Sequence, residues 1–197
     1  MEHFELWHGS QRWEGRPSIQ PCRVGCYEHG PGLYLTTSKE GAKKYAKGAG
    51  SLVKIGLSQE IAWLHNAWLS LDQMQDILPF LRNRKKIAGD IQEWMTEFDG
   101  DRLPASYFLN SCIDHQALSG KGGQELASWL VEQGIDASLY KRSGQEDWIV
   151  LFNPAKILLH QKLTAKQADP MPDDFPLISS LISTSSPKLT RIRSMGM

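Results

Sequence analysis

Residues 32–48 predict a strand that turns directly into a helix, and this unit constrains the fold more than any other stretch of the chain. Leu-Tyr-Leu-Thr at 33–36 is rich in residues that favour β-strands. Ser38 follows and is placed to cap a helix over about 39–47. A chain with this unit near its start has to pack a helix against the strand that precedes it.

This unit carries two tyrosines, one on its strand and one on its helix. Tyr34 lies on the strand and Tyr45 near the end of the helix. Rings carried in this way can face one cleft and hold a flat aromatic ligand between them. The alternative is that both are ordinary core aromatics, since buried tyrosines are common.

Further strand signals lie on both sides of this unit. Residues 6–10, Leu-Trp-His-Gly-Ser, predict an apolar strand that ends in a His-Gly pair. Residues 11–31 predict a long irregular loop over a cleft, and such loops are often functional. Residues 51–57 alternate as a strand does, and residues 147–152, Asp-Trp-Ile-Val-Leu-Phe, predict a late strand before an Asn-Pro pair.

The order of these short motifs resembles the ADP-ribosyltransferase superfamily, in particular its His-Tyr-Glu branch, which includes the poly(ADP-ribose) polymerases. The resemblance covers roughly residues 4–57 and 123–160. It implies an α+β fold with a split, mostly antiparallel β core and flanking helices. It also implies that NAD is the substrate and that ADP-ribose is transferred to an acceptor.

The resemblance assigns roles to five residues near the start of the chain. His8 would hydrogen-bond a hydroxyl of the adenosine ribose, and Gly9 would offer its backbone to the nicotinamide amide. Tyr34 and Tyr45 would flank the nicotinamide ring. Ser10 would either contact the ligand or cap a turn.

The catalytic carboxylate is the motif in which the chain departs from the family pattern. Cleavage of NAD builds positive charge on the ribose, which a carboxylate can stabilise. The family usually has a glutamate at the start of the last strand, where this chain has Asp147. Glu146 is one position earlier and would face the other side of the strand. We expect Asp147 to be catalytic, with Glu146 as the second candidate and a solvated hairpin turn over residues 143–147 as the third interpretation.

Composition excludes some functions and leaves others open. The 197 residues carry 22 basic and 22 acidic side chains, so the net charge is zero, which argues against a strongly basic nucleic-acid footprint and leaves a local patch open. No apolar run approaches the roughly 20 residues of a membrane span. The acidic N-terminus lacks the pattern of a signal peptide, and three cysteines suit a reducing cytosol, so we expect a cytoplasmic protein.

A metal site is the main competing interpretation of the cysteines and histidines. Cys22, Cys26 and His29, with Cys112 and His115, include a spacing that zinc ligands use. Cys112 and His115 lie far along the chain from the first three residues and combine one thiol with one imidazole. A buried thiol also behaves as a small hydrophobe. We therefore expect no metal.

Residues 60–115 match no motif of the family and predict a helical insert packed against the sheet. Ser70 and Gln73 predict a capping box at the start of a helix, which Pro79 would end or kink. A second helix is predicted over about 85–98 by its one-sided apolar face. After the insert, residues 124–133 predict a helix, followed by a pair of strands.

From residue 164 onward the composition shifts to proline, serine and threonine. We expect residues 1–163 to form the domain and residues 164–197 a tail without a core of its own. Truncation after Lys162 would then leave a folded domain. The apolar stretch 175–182 is a candidate for docking on the domain or on a partner.

These observations predict a mono-ADP-ribosyltransferase that modifies a macromolecule, such as a bacterial or phage effector or toxin. The acceptor is open between a protein side chain, which the neutral charge favours, and nucleic acid. Two alternatives remain: a non-catalytic NAD-binding or partner-binding module, and an NAD glycohydrolase in which water is the acceptor.

Overall fold

The computed structural model of the chain describes residues 3–20, 27–47, 50–98 and 100–182. In chain order its strands and helices are β1 (His3–Ser10), β2 (Leu33–Thr36), α1 (Lys39–Ala46), β3 (Ser51–Ser58), β4 (Trp68–Ser70), α2 (Leu71–Ile77), α3 (Arg84–Phe98), β5 (Arg102–Pro104), α4 (Ala105–Asp114), α5 (Lys121–Glu132), β6 (Ala137–Ser143), β7 (Glu146–Leu151), β8 (Ile157–Leu163), α6 (Ala165–Ala168) and α7 (Ile178–Leu181).

Six of the strands form one antiparallel sheet in the order β6-β7-β2-β1-β3-β8. The join between β2 and β1 is a single paired position, Trp7 opposite Thr36, whereas β1 and β3 pair at all positions from His3 to Ser10. The sheet is thus divided into a half made of β6, β7 and β2 and a half made of β1, β3 and β8. The α+β class with an antiparallel core, predicted from the sequence, is confirmed.

The two halves share a hydrophobic cluster, which fixes how one half lies against the other. Leu33 and Leu35 of β2 and Ile149 of β7 belong to the same cluster as Leu6 of β1 and Val53 of β3, and all five are buried. These residues recur every second position along their strands, so one face of each strand is apolar. Burial of this cluster brings the ends of β1 and β2 together from the two halves.

Residues 60–115 form the predicted helical insert, with α2, α3 and α4 as its helices. Ser70 and Gln73 make both hydrogen bonds of the predicted capping box, and Pro79 lies in a short 3₁₀ helix that ends α2. The insert also contains a two-stranded ribbon of β4 and β5, which the sequence patterns did not indicate. Its buried side chains form one hydrophobic cluster with those of α5 and with Val150 of β7.

The segment from residue 164 to 182 packs onto the domain, so packing does not end at the boundary we expected at residue 163. The Phe175 ring is buried and stacks on Trp7 of β1 with ring centroids 5.3 Å apart. Ile178 is buried in the cluster shared by the two sheet halves. Of the apolar stretch 175–182, which was a candidate for partner docking, Phe175 and Ile178 are thus buried in the domain, whereas Leu181 stays exposed. Truncation after Lys162 would remove these contacts, so we no longer expect it to leave the domain intact.

Lys39 also binds this C-terminal segment, through its side-chain ammonium. Its ammonium is almost completely buried and donates to the carbonyl oxygens of Ala168 and Met171, each at 2.8 Å. It also pairs with the Asp173 carboxylate at 2.8 Å. A buried ammonium needs such partners because it has lost its water. The first residue of α1 thus holds the segment to the helix that carries Tyr45.

Within the described part of the chain, no helix has both the length and the apolar character needed to cross a membrane.

Candidate functional site

A cavity of about 850 Å³ opens where the two halves of the sheet diverge. This volume falls in the range of small-molecule and cofactor sites. Its walls come from the end of β1, the following loop, β2, α1 and β7, and they include His8, Gly9, Ser10, Arg12, Trp13, Arg16, Tyr27, Glu28, Tyr34, Thr36, Ala42, Tyr45 and Trp148. Five of the residues singled out in the sequence, those at 8, 9, 10, 34 and 45, thus meet at one cavity.

His8 is held in one tautomer by the neighbouring strand. Its Nδ1 lies 2.8 Å from the Tyr34 carbonyl oxygen, and because a carbonyl only accepts, Nδ1 carries the proton. Nε2 is then an acceptor in the neutral ring. Burial lowers the pKa of His8, and the hydrogen bond to the Tyr34 carbonyl offsets this in part. His8 therefore presents a neutral acceptor, which is what a donating ribose hydroxyl needs.

Two hydrogen bonds hold the Tyr34 hydroxyl in place. The hydroxyl accepts from the His29 backbone N–H and donates to the Gly30 carbonyl, both at 3.0 Å. Burial raises the pKa of Tyr34, so the phenol stays protonated. The ring is thereby a rigid wall of the cavity and has no role as a base.

Trp148 completes the aromatic wall that the two tyrosines begin. Its ring meets Tyr34 edge-on at 6.4 Å and Tyr45 edge-on at 5.8 Å between centroids. Arg142 covers the indole with its guanidinium carbon 4.3 Å from the ring centroid. Tyr45 is 51% exposed, so it is a surface ring and not a core aromatic. The aromatic wall thus has three rings where the sequence indicated two, and Trp13 and Tyr27 of the loop add two further rings to the cavity lining.

Gly9 and Ser10 line the cavity, and the structure gives each a local reason for its identity. A Cβ on Gly9 would run into the backbone carbonyl of Ala42, so glycine lets α1 pack directly on β1. This reason is distinct from the ligand approach that the resemblance implies. Ser10 forms a turn, since its Oγ donates to the Arg12 carbonyl at 2.6 Å and accepts from the Arg12 N–H.

The two carboxylates at the start of β7 lie on opposite faces, and the structure reverses the faces we expected. Trp148 pairs directly with Thr36 and faces the cavity, so Glu146 shares that face and Asp147 points away. Asp147 is buried, and its Oδ2 accepts from the Ser179 N–H at 2.7 Å. The placement of Asp147 in the cleft is therefore corrected, because strand pairing turns its side chain towards the C-terminal segment.

Glu146 lies beside the cavity without lining it. Its Oε1 accepts from the Thr36 hydroxyl at 2.8 Å and from the Trp148 indole N–H at 2.6 Å, and both donors line the cavity. Glu146 is half-buried and held by these two hydrogen bonds, which excludes the interpretation of residue 146 as part of a freely solvated turn. Of the two carboxylates that were predicted from the sequence, Glu146 is the one that lies near the aromatic wall.

Several lining residues were missed in the sequence. Trp148 was read as part of a strand, although its even spacing from Val150 already placed it on one face. Arg12, Arg16 and Trp13 fall in the long loop, where no periodicity predicts side-chain direction. Only the path of the loop across the open end of the sheet brings them to the cavity.

The residues weighed as metal ligands have other partners where the structure describes them. His29 packs against Tyr140, and His115 pairs with Asp90 at 2.9 Å. Burial raises the pKa of the Cys112 thiol, with Asp90 adding to the shift, so the thiolate needed for zinc is disfavoured. Cys22 and Cys26 lie outside the described residues. The described ranges contain no cluster of three potential metal ligands.

No family model matches the chain, and no curated protein sequence matches it. A solved structure described as the crystal structure of an anti-CRISPR protein is similar over 81% of this chain and 94% of its own length, at 12% identity and a TM-score of 0.34. At this TM-score the likeness carries no functional information, so any function has to be argued from the residues of the cavity.

Proposed function

We propose that the chain is a mono-ADP-ribosyltransferase that uses NAD as its substrate and modifies a macromolecular acceptor. The single observation that carries the proposal is the meeting of His8, Tyr34, Tyr45 and Trp148 at one cavity with Glu146 beside it. An activity of this kind suits a bacterial or phage effector or toxin.

Three kinds of side chain around the cavity match three groups of NAD. The rings of Tyr34, Tyr45 and Trp148 offer faces and edges to the flat nicotinamide. The neutral His8 offers an acceptor to a ribose hydroxyl. The Arg12 and Arg16 side chains at the loop wall supply positive charge for the diphosphate.

Cleavage breaks the bond between C1′ of the ribose and the nicotinamide nitrogen. Nicotinamide leaves with the bonding electron pair and becomes neutral, and C1′ becomes electron-poor. A nucleophile of the acceptor then supplies a new pair to C1′ and loses its proton. Because positive charge grows on the ribose before the new bond is complete, a fixed carboxylate lowers the barrier.

Glu146 is the residue we assign to this role. The Thr36 and Trp148 donors hold one of its oxygens, so its orientation is set before a ligand binds. Both of these hydrogen bonds end on Oε1, so neither of them uses Oε2.

A second candidate function is a non-catalytic NAD-binding module. What favours it is that Asp147, at the family's usual catalytic position, turns away from the cavity. An NAD glycohydrolase differs from the first proposal only in using water as the acceptor.

Incubation of the purified chain with NAD labelled in its adenylate half, in a cell lysate, separates these functions. Label on a macromolecule supports transfer, free labelled ADP-ribose supports hydrolysis, and intact NAD with measurable binding supports the module. Protease and nuclease treatment of the labelled product then identifies the acceptor class. Absence of both turnover and NAD binding would contradict all three.

A further inference from the structure

An exposed cluster of positive charge lies on the helical insert, where α2 leads into α3. Arg82, Arg84, Lys85 and Lys86 are all exposed within five positions of the chain. Lys121, also exposed, begins α5, and the two elements are tied together because Arg82 donates to Ser119 Oγ at 3.0 Å. We call these five cations the basic patch.

Within the described part of the chain, the cations of the basic patch have no carboxylate partner, since no carboxylate comes within ion-pairing distance of any of the five. Three of them occupy the first turn of α3, which contains no acidic residue. Positive charge at the start of a helix opposes the helix dipole and lowers helix stability. A sequence that breaks a local rule in this way is expected to have a functional reason for it.

An exposed aromatic ring accompanies the charges. Phe80 lies two residues before Arg82 and is 62% exposed, the largest exposed fraction of the large hydrophobic side chains in the described residues. The Phe80 backbone carbonyl oxygen lies 3.6 Å from where a Cβ on Gly122 would be, so Phe80 is close to the residue that follows Lys121. A group of cations beside an exposed ring suits a single-stranded nucleic acid, whose phosphates bind the cations and whose bases stack on the ring.

Contacts run from the patch to the rim of the cavity. Gly123, two residues after Lys121, packs against the ring of Tyr27, which lines the cavity. Gln124 donates to the Ile19 carbonyl at 2.9 Å, in the loop that forms the cavity wall. The start of α5, which carries Lys121, therefore packs directly against the loop that lines the candidate active site.

We propose that the basic patch and Phe80 dock a single-stranded nucleic acid beside the cavity. As an assignment of the acceptor class this rests on the proposed transferase function. The zero net charge of the chain does not oppose it, because a neutral chain can still carry a local cluster of positive charge. Docking depends on phosphates and base faces, so it should tolerate changes of base sequence.

The test is fluorescence anisotropy of a labelled single-stranded DNA or RNA oligonucleotide of about 15 nucleotides, mixed in sequence, with the full chain at about 50 to 200 mM salt. The variant replaces Arg84, Lys85 and Lys86 with Gln. The matched control replaces the exposed Lys44, Arg102 and Lys162 with Gln, which removes the same charge elsewhere.

We expect the patch variant to bind at least about tenfold more weakly, with a salt dependence flatter by about two units of log–log slope, and the control to bind like the unmodified chain. Phe80→Ala should weaken binding by a further several-fold through lost stacking. No binding by the unmodified chain, equal losses in the two triple variants, or tighter binding of a poly-glutamate peptide would each overturn the proposal.

NAD binding, measured by calorimetry on the same proteins, separates this proposal from the transferase function. The patch variant should keep the NAD affinity of the unmodified chain. A chain that binds the oligonucleotide but not NAD would contradict the proposed transferase and leave the docking surface standing. A chain that binds NAD but not the oligonucleotide would contradict the docking surface and leave the proposed transferase standing.

Discussion

Glu146 and Asp147 are neighbours in the chain, yet only one of them can act on a ligand in the cavity. Trp148 faces the cavity opposite Thr36, and side chains alternate along β7, so Glu146 is on the cavity side. Asp147 instead accepts from Ser179 behind the sheet. A residue that stabilises charge in the transition state must lie on the ligand's side.

We therefore expect Glu146→Gln to lower kcat by on the order of 10²-fold while NAD binding changes little, since this carboxylate acts mainly on the charge that develops during cleavage. Asp147→Asn makes the same chemical change one position away and should keep kcat near that of the unmodified chain. Release of labelled nicotinamide measures both. The opposite ranking of the two variants would show that the carboxylate assignment is wrong.

Tyr45 is the clearest test of the aromatic wall because half of its surface is exposed and its replacement should not disturb the core. Tyr45→Ala removes a ring that meets Trp148 edge-on and should weaken NAD binding by about 1 kcal/mol. Tyr45→Phe keeps the ring and should bind normally. Calorimetric affinities that are equal for all three proteins would exclude a role for this ring in binding.

His8 predicts how NAD binding depends on pH. Burial lowers its pKa from the usual value of 6.5, so the ring is neutral above pH 6.5 and affinity should be constant there. Below the lowered pKa the ring becomes charged, and a ligand that shields it from water must displace the proton. Affinity should then fall by up to about tenfold per pH unit.

The same shift affects stability with a definite sign. The unfolded chain takes up this proton more readily, so the free energy of unfolding falls as the pH drops from about 6.5 towards the lowered pKa. His8→Gln should remove the His8 part of both pH dependences, measured by calorimetry and by denaturant titration. A binding profile that is unchanged in this variant would mean that another group is responsible.

The C-terminal segment behaves as an integral element and not as a tail. Phe175→Ala should lower the free energy of unfolding by about 3 kcal/mol, because it deletes a buried ring stacked on Trp7. Leu181→Ala is the matched control, since Leu181 is 57% exposed and its loss should cost less than about 0.5 kcal/mol. Removal of residues after Lys162 should be more damaging than either. Denaturant titration that finds the truncated chain as stable as the full one would contradict this.

The whole molecule should respond to NAD because the cavity takes its walls from both halves of the sheet. A ligand that binds only the folded chain adds about 2.7 kcal/mol at 100 times its Kd. For a chain of this length we expect the melting temperature to rise by on the order of 5 °C in one cooperative transition. Separate transitions, of which only one shifts, would show that the halves unfold independently.

Local chemistry was enough to predict the strand–helix unit with Ser38 as its cap and the capping box at Ser70, whereas the place of His8 beside Tyr34 and Tyr45 was implied by the family resemblance. In the first two cases the interacting groups lie within a few residues of one another. The strand period and the cap then orient the side chains without reference to the rest of the chain.

Long-range pairing decided the remaining features. The face of β7 that meets the cavity depends on the register of Trp148 against Thr36, and a shift of one residue exchanges Glu146 for Asp147. The burial of Phe175 depends on an apolar ring of β1 that lies 168 positions earlier in the chain. The basic patch depends on α5 lying beside the start of α3. No local pattern encodes these neighbours, because each is fixed by the packing of elements that are distant in sequence.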